Sequence, residues 1–118
     1  MRFLSIFRCL ALLLMLGSAT AYAHALLDRA DPRVGSTVSA PPREVSLSFS
    51  QYLEPAFSTV EVTDASGRRV DEGEPIVDGK VMRIRLQAIA PGTYQVKWRV
   101  LSVDTHTTEG SFSFEVRP

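Results

Sequence analysis

The sequence predicts an all-β protein, a Greek-key β-sandwich of about seven strands. After the first 23 residues, apolar and polar residues alternate in short runs, the pattern of strands with one buried face. Proline, glycine and aspartate separate these runs about every ten residues, and no stretch shows sustained helical periodicity. Many short strands divided by turn signals are typical of a two-sheet sandwich.

The first 23 residues have the features of a cleaved signal peptide. Two arginines and no acid accompany a short apolar run over residues 9–16, and Ala21 and Ala23 supply the small side chains that a signal peptidase requires. The run is shorter than the roughly 20 residues that a membrane-spanning helix needs. We therefore expect residues 1–23 to be a signal peptide and residues 24–118 to be one small exported domain, not inserted in the membrane after cleavage.

The charge and the cysteine content of this domain argue against several kinds of partner and metal ligand. The chain has 13 basic and 13 acidic residues, and the leader removes two arginines, which leaves a net charge of about −2 with histidine neutral. This balance argues against nucleic acid or an anionic membrane surface as the partner. The single cysteine, Cys9, lies in the leader, so the domain has neither a disulfide nor a thiolate ligand. Packing alone must hold it together.

Five runs in the domain alternate clearly and predict strands. Their apolar positions are Val45, Leu47 and Phe49; Val60 and Val62; Met82, Ile84 and Leu86; Tyr94, Val96, Trp98 and Val100; and Phe112, Phe114 and Val116. The pattern is weaker over residues 25–30, before a turn at Asp31-Pro32 and Gly35. Residues 68–77, which contain a glycine and a proline, fit an edge strand or a loop. Trp98 and the inward phenylalanines are expected in the core.

Cleavage after Ala23 would make His24 the first residue of the mature protein. An α-amine and an imidazole on the same residue can both donate nitrogen to one metal ion, forming a chelate ring that an internal histidine cannot form. These donors suit a borderline ion such as Cu(II). The alternative is a solvated terminal side chain with no role.

A second candidate ligand pair, Asp104 and His106, lies between the last two predicted strands. If residues 104–106 are extended, these two side chains point to the same face and Thr105 points away. The alternative is an ordinary hydrogen-bonded loop. The chain contains only two histidines, His24 and His106, so both of them fall at positions that a metal site could use.

The sequence resembles the CopC family of periplasmic copper-resistance proteins over the whole of the expected mature domain. The matching positions are His24, Pro32-x-x-Gly35, Phe49-Ser50, Gly92-Thr93-Tyr94-x-Val96-x-Trp98-Arg99, Ser102-x-Asp104-Thr105-His106, Gly110-Ser111 and Phe114. The resemblance implies a cupredoxin-like or immunoglobulin-like sandwich that binds one Cu(II) per mature chain through the amine and imidazole of His24, the Asp104 carboxylate and the His106 imidazole. Our first hypothesis is therefore a soluble, monomeric periplasmic carrier or buffer, not an enzyme, which acts in copper homeostasis and resistance. The resemblance further implies that it can hand copper to a membrane transporter of the CopD type.

Two departures from the family pattern lead to further expectations. Some CopC proteins hold Cu(I) with a methionine-rich segment, whereas Met82, on an apolar strand face, is the only methionine after the leader. We therefore expect no dedicated Cu(I) site. Gln51 stands where the family has a glutamate. Gln51, Glu54 and Glu109 are candidates to hydrogen-bond the metal ligands, or else solvated surface residues.

The sequence also fits three other functions. A copper-dependent oxidative enzyme can also use an N-terminal histidine chelate, but Asp104 would fill a position that oxygen needs. A metal-free adhesive sandwich would explain the strands equally well. A zinc site could use the same residues. For nitrogen ligands, metal affinity should fall as the pH drops toward and below about 6.5.

Overall fold

The computed structural model describes residues 25–118, and the expected signal peptide and His24 lie outside this range. The described chain forms eight strands and one short 3₁₀ turn, which confirms the all-β prediction. The strands are β1 Leu27–Asp31, β2 Thr37–Val38, β3 Glu44–Phe49, β4 Thr59–Thr63, β5 Asp71–Asp78, β6 Val81–Leu86, β7 Gly92–Leu101 and β8 Thr107–Val116, with the 3₁₀ turn at Pro55–Phe57. The described residues include no helix long and apolar enough to span a bilayer.

The eight strands form two four-stranded sheets, ordered β1-β3-β6-β5 and β2-β8-β7-β4. The chain passes from one sheet to the other after β1, β2, β3, β4 and β6, so successive strands seldom pair, as expected for Greek-key connections. Only β5–β6 and β7–β8 are hairpins. The β7–β8 hairpin is the longest pairing, running from Gly92↔Val116 to Leu101↔Thr107, and its loop carries the candidate ligands Asp104 and His106.

The structure has one strand more than the expected seven, because the weakly patterned segments also form strands. In β1 only Ala30 is buried, so no alternation is visible in the sequence. The two residues of β2 pair with β8 in parallel and are too few for a periodic pattern. Residues 71–78 are the edge strand β5, with an irregular register between Glu72 and Ile76 that spans the glycine and the proline.

The core lies between the two sheets and contains the residues that the alternation predicted. Trp98 and Phe49 pack edge to face with their ring centroids 5.1 Å apart, and Met82 is fully buried. Gly110 lies directly across from Trp98 in the β7–β8 ladder. A Cβ atom at Gly110 would lie 2.6 Å from Cζ2 of the indole, so only glycine leaves room for the ring.

Candidate metal centre

The candidate ligands Asp104 and His106 lie in the five-residue loop that joins β7 to β8. The loop closes on itself: the Ser102 N–H donates to the His106 carbonyl at 2.9 Å, and the Thr105 N–H donates to the Ser102 carbonyl at 2.9 Å. The neighbouring chain holds it as well, because the Val103 N–H donates to the Tyr52 carbonyl at 3.0 Å. The two side chains are therefore presented by a constrained turn.

The two ligand side chains converge, but not for the reason that the sequence suggested. The interpretation of residues 104–106 as an extended segment is wrong, because Thr105 has a φ of 73°, in the left-handed region. The chain reverses at Thr105 and brings His106 back beside Asp104. His106 Nδ1 lies 3.5 Å from Asp104 Oδ1. Both side chains are partly exposed, His106 at 48% and Asp104 at 38%, so an ion can reach them from solvent.

Ser102 fixes one oxygen of the Asp104 carboxylate. Its hydroxyl donates to Asp104 Oδ1, although Ser102 itself is fully buried. This hydrogen bond holds the pKa of the Asp104 carboxyl below its usual value; partial burial opposes it more weakly, and His106 lowers the pKa further. The carboxylate is therefore an anion over a wide pH range, as a metal ligand should be.

The contact between Ser102 and Asp104 was not predicted from the sequence, although the alternation in β7 contained a signal for it. The inward positions of β7 are Tyr94, Val96, Trp98 and Val100, and Ser102 continues the same alternation. A serine at the next inward position must find a hydrogen-bond partner, because an unsatisfied buried hydroxyl is costly. Asp104, two residues further on, is that partner.

The three candidate hydrogen-bond partners of the metal ligands, Gln51, Glu54 and Glu109, lie in different parts of the fold. Glu109 is exposed in β8, across from Arg99 in the ladder. Glu54 is half-buried, and its backbone N–H donates to the Leu101 carbonyl at 2.8 Å, which ties the 3₁₀ turn to the end of β7. Gln51 is half-buried in the bend after β3. The residue that the structure places against Asp104 is Ser102, not one of these three.

Ala25 and Leu26, the first residues that the structure describes, are hydrogen-bonded close to the same loop. The Thr108 hydroxyl donates to the Ala25 carbonyl at 2.7 Å, and Ala25 is fully buried. The Leu26 N–H donates to Ser50 Oγ at 2.8 Å, and the Ser50 N–H donates to the Leu26 carbonyl at 2.8 Å. The segment that directly follows His24 is therefore bound to both sheets, next to the start of β8.

The donor set suits a transition metal. Within residues 25–118, no three histidine, cysteine, aspartate or glutamate side chains come together as a metal site, so this part of the chain offers the pair Asp104 and His106. A carboxylate oxygen and an imidazole nitrogen are ligands that Cu(II) and Zn(II) both accept. One residue before Ala25, His24 would add two nitrogens to this pair if it carries a terminal amine.

The family model described as the CopC domain matches residues 27–117, and the chain belongs to this family. Among its relatives, copper resistance protein C of Xanthomonas campestris pv. juglandis is 36% identical over 111 residues, which cover 86% of this chain and 87% of that protein. The copper transport protein CutJ of Bacillus subtilis (strain 168) is 26% identical over 111 residues, which cover 91% of this chain but only 20% of that protein.

Solved structures agree with this membership. The crystal structure of CopC from Methylosinus trichosporium OB3b superposes with a TM-score of 0.76 at 34% identity, covering 80% of this chain and 95% of that one. PcoC, a methionine-rich copper resistance protein from Escherichia coli, superposes with a TM-score of 0.71 at 34% identity, covering 80% of this chain and all of that one. The sandwich is therefore the fold of a family named for copper resistance.

Proposed function

We propose that this protein is an exported Cu(II) carrier or buffer that binds one ion per mature chain. The ligands are the α-amine and imidazole of His24, the carboxylate of Asp104 and the imidazole of His106. The observation that carries the proposal is the pairing of Asp104 and His106 in a constrained loop, 3.5 Å apart, beside the anchored segment that follows His24. Family membership supports copper as the ion.

The proposed donor set fits Cu(II) better than other divalent ions. Three nitrogens and one oxygen suit the tetragonal geometry that Cu(II) favours, and the Irving–Williams order places Cu(II) above Zn(II) for the same donors. The peptide bond keeps the Cα atom of residue 24 about 3.8 Å from that of Ala25. The anchoring of Ala25 therefore limits how far the terminal donors can lie from the loop.

The proposal requires export and processing. Cleavage after Ala23 creates the terminal amine, and the features of residues 1–23 support this step and a periplasmic location. Without cleavage, the nitrogen of His24 is part of an amide and cannot donate to the ion in the same way. Copper binding is thereby restricted to the processed protein.

We further propose that the protein delivers its copper to a membrane transporter. In CutJ the matching region makes up one fifth of a copper transport protein, so a domain of this kind occurs within a longer chain of that function. A separate CopC-like chain would serve the same purpose by handing its ion to a partner of the CopD type.

The alternative functions receive less support. An oxidative copper enzyme needs a coordination position open to oxygen, and Asp104 would fill it here. The relatives described above are named for copper resistance and transport, which also argues against a metal-free adhesive module. Zinc binding by the same residues is separable by spectroscopy, because Zn(II) is d¹⁰.

The experiment that tests the proposal is an electron paramagnetic resonance spectrum of the processed protein with one equivalent of Cu(II). A variant with one extra residue before His24 and the His106→Gln variant are measured beside it, with Glu109→Gln, an exposed acid elsewhere in β8, as the matched control. We expect a tetragonal, nitrogen-rich signal from the processed protein and from Glu109→Gln, since Glu109 is exposed across from Arg99 and not against Asp104. The two test variants should lose nitrogen coupling. Weakly held copper in all four proteins would refute the site.

A further inference from the structure

Thr108 occupies an inward-facing position in β8 that could accommodate an apolar residue. Phe112, Phe114 and Val116, on the same face, are buried core residues, whereas Thr108 is half-buried at the open end of the sandwich. A valine there would have nearly the same shape and would suit a strand. The hydroxyl is what distinguishes the threonine, and its partner is the Ala25 carbonyl at 2.7 Å.

The hydrogen bond from Thr108 is one of three that hold the two residues after His24. Ser50, which directly follows β3 in one sheet, binds both the N–H and the carbonyl of Leu26. Thr108, in the other sheet, binds the carbonyl of Ala25. The backbone of residues 25 and 26 is therefore held from both sheets, at the end of the sandwich that carries the 102–106 loop.

We propose that Thr108 is a positioning residue for the terminal chelate. It does not touch the ion; by fixing the Ala25 carbonyl, it sets the direction in which the chain leads to His24 and so presents the amine and imidazole to Asp104 and His106. This inference rests on the proposed copper site. Without the hydroxyl, Ser50 still holds Leu26, but the Ala25 carbonyl loses its partner. Copper binding would then have to order the residues before Leu26, and the entropy lost in ordering them would weaken binding.

The test compares Thr108→Val with Thr108→Ser in the processed protein, using competitive Cu(II) titration and electron paramagnetic resonance. Thr107→Val is the matched control, since Thr107 is exposed, adjacent in β8 and even closer to His106 in sequence. We expect Thr108→Val to bind Cu(II) about 10-fold more weakly, the lower end of the range for residues that orient metal ligands. Its spectrum should lose nitrogen coupling, and Thr108→Ser should restore both properties.

The outcomes separate the role of Thr108 from the site itself. Unchanged affinity and spectrum in Thr108→Val, with tight binding by the parent, would overturn the positioning role and leave the copper site intact. A parent protein that does not bind Cu(II) would overturn both. If Thr108→Val folds poorly, as judged by the thermal midpoint without copper, Thr108→Ala against Thr108→Ser provides the same comparison. A loss of affinity in Thr107→Val equal to that in Thr108→Val would also refute the inference.

Discussion

The hydroxyl of Ser102, a fully buried residue at the start of the loop that follows β7, donates a hydrogen bond to the carboxylate of Asp104 on the protein surface. One side chain thus connects the rigid interior with a candidate metal ligand. This bond restricts the orientation of the candidate ligand in the metal-free protein.

Replacing Ser102 by alanine should weaken Cu(II) binding about 10-fold, since residues that orient metal ligands have effects of this size. The substitution should also raise the pKa of Asp104 toward its usual value, because the Ser102 hydrogen bond is the largest cause of its depression. Competitive copper titration measures the first effect and NMR titration of the copper-free protein the second. Ser111→Ala, an exposed serine of β8, is the control. Full affinity in Ser102→Ala would show that Asp104 is oriented by something else.

Replacing Gly110 by alanine should destabilise the fold by about 1–3 kcal/mol, the usual cost of overpacking a core. The added Cβ would lie 2.6 Å from the Trp98 indole, so the ring or the β7–β8 ladder must shift. Urea unfolding, followed by the fluorescence of the single tryptophan, measures the change in the free energy of unfolding. The Ser111→Ala protein serves again as the neighbouring control. Unchanged stability would mean that the indole has room to move.

The turn at Asp64 should make the stability of the copper-free protein depend on pH. Asp64 Oδ1 accepts hydrogen bonds from the Ser66 hydroxyl at 2.6 Å and from the Arg68 N–H at 3.0 Å. These bonds lower the pKa of Asp64 below its ordinary value of 3.8. A carboxyl with a depressed pKa in the folded state adds stability above its unfolded pKa, and this contribution is lost as the pH falls through the folded pKa.

Asp64→Asn should therefore reduce the loss of stability that occurs as the pH falls below about 4. Asparagine keeps an oxygen acceptor in the turn, but it has no proton to gain. The measurement is the urea midpoint of the copper-free protein at several pH values from 7 down to 2.5. Glu109→Gln controls for the loss of one negative charge. An identical pH profile in Asp64→Asn and the parent would refute this role of the turn.

Met82→Leu should leave Cu(I) binding unchanged, because Met82 is fully buried between the sheets. The swap conserves volume and should cost less than about 1.5 kcal/mol. Titration of the processed protein with Cu(I) against a competing chelator should show the same weak binding before and after the substitution. Tight Cu(I) binding by the parent that disappears in Met82→Leu would contradict the expectation that this chain lacks a Cu(I) site.

The strands that could be predicted from the sequence are those with one face buried in the core and the other exposed to solvent. The alternation from Tyr94 to Val100 predicted β7 correctly, because one face of that strand is core and the other is solvent. The sequences of β1 and β2 show no such alternation. These two segments are strands because they pair with β3 and β8, which lie further along the chain. The glycine and proline of β5 look like a loop in the sequence, yet the strand continues on either side of an irregular register.

For the candidate site, the sequence pointed to the pairing of Asp104 with His106, which the structure brings together, but not to the loop geometry that does so. The chain has only two histidines, and Asp104 drew attention because it lies two positions before one of them. The left-handed backbone of Thr105 was not predictable, since a threonine seldom adopts it. The hydrogen bond between Thr108 and Ala25 could not be predicted from the sequence either, because the two residues are 83 positions apart. His24 remains a prediction.

The proposed site has a consequence for how copper would act on the fold as a whole, because His24 and His106 are 82 positions apart in the sequence. In the proposed site the ion joins the first residue of the mature chain to the loop before its last strand, so almost the entire polypeptide lies between its ligands. A cross-link of this span restricts the unfolded chain much as a disulfide does, by closing a long loop. Residues 24–118 contain no cysteine with which to form a disulfide. If the proposed site is right, copper would act as a reversible cross-link of residues 24–118, present while the ion is bound and lost when it leaves.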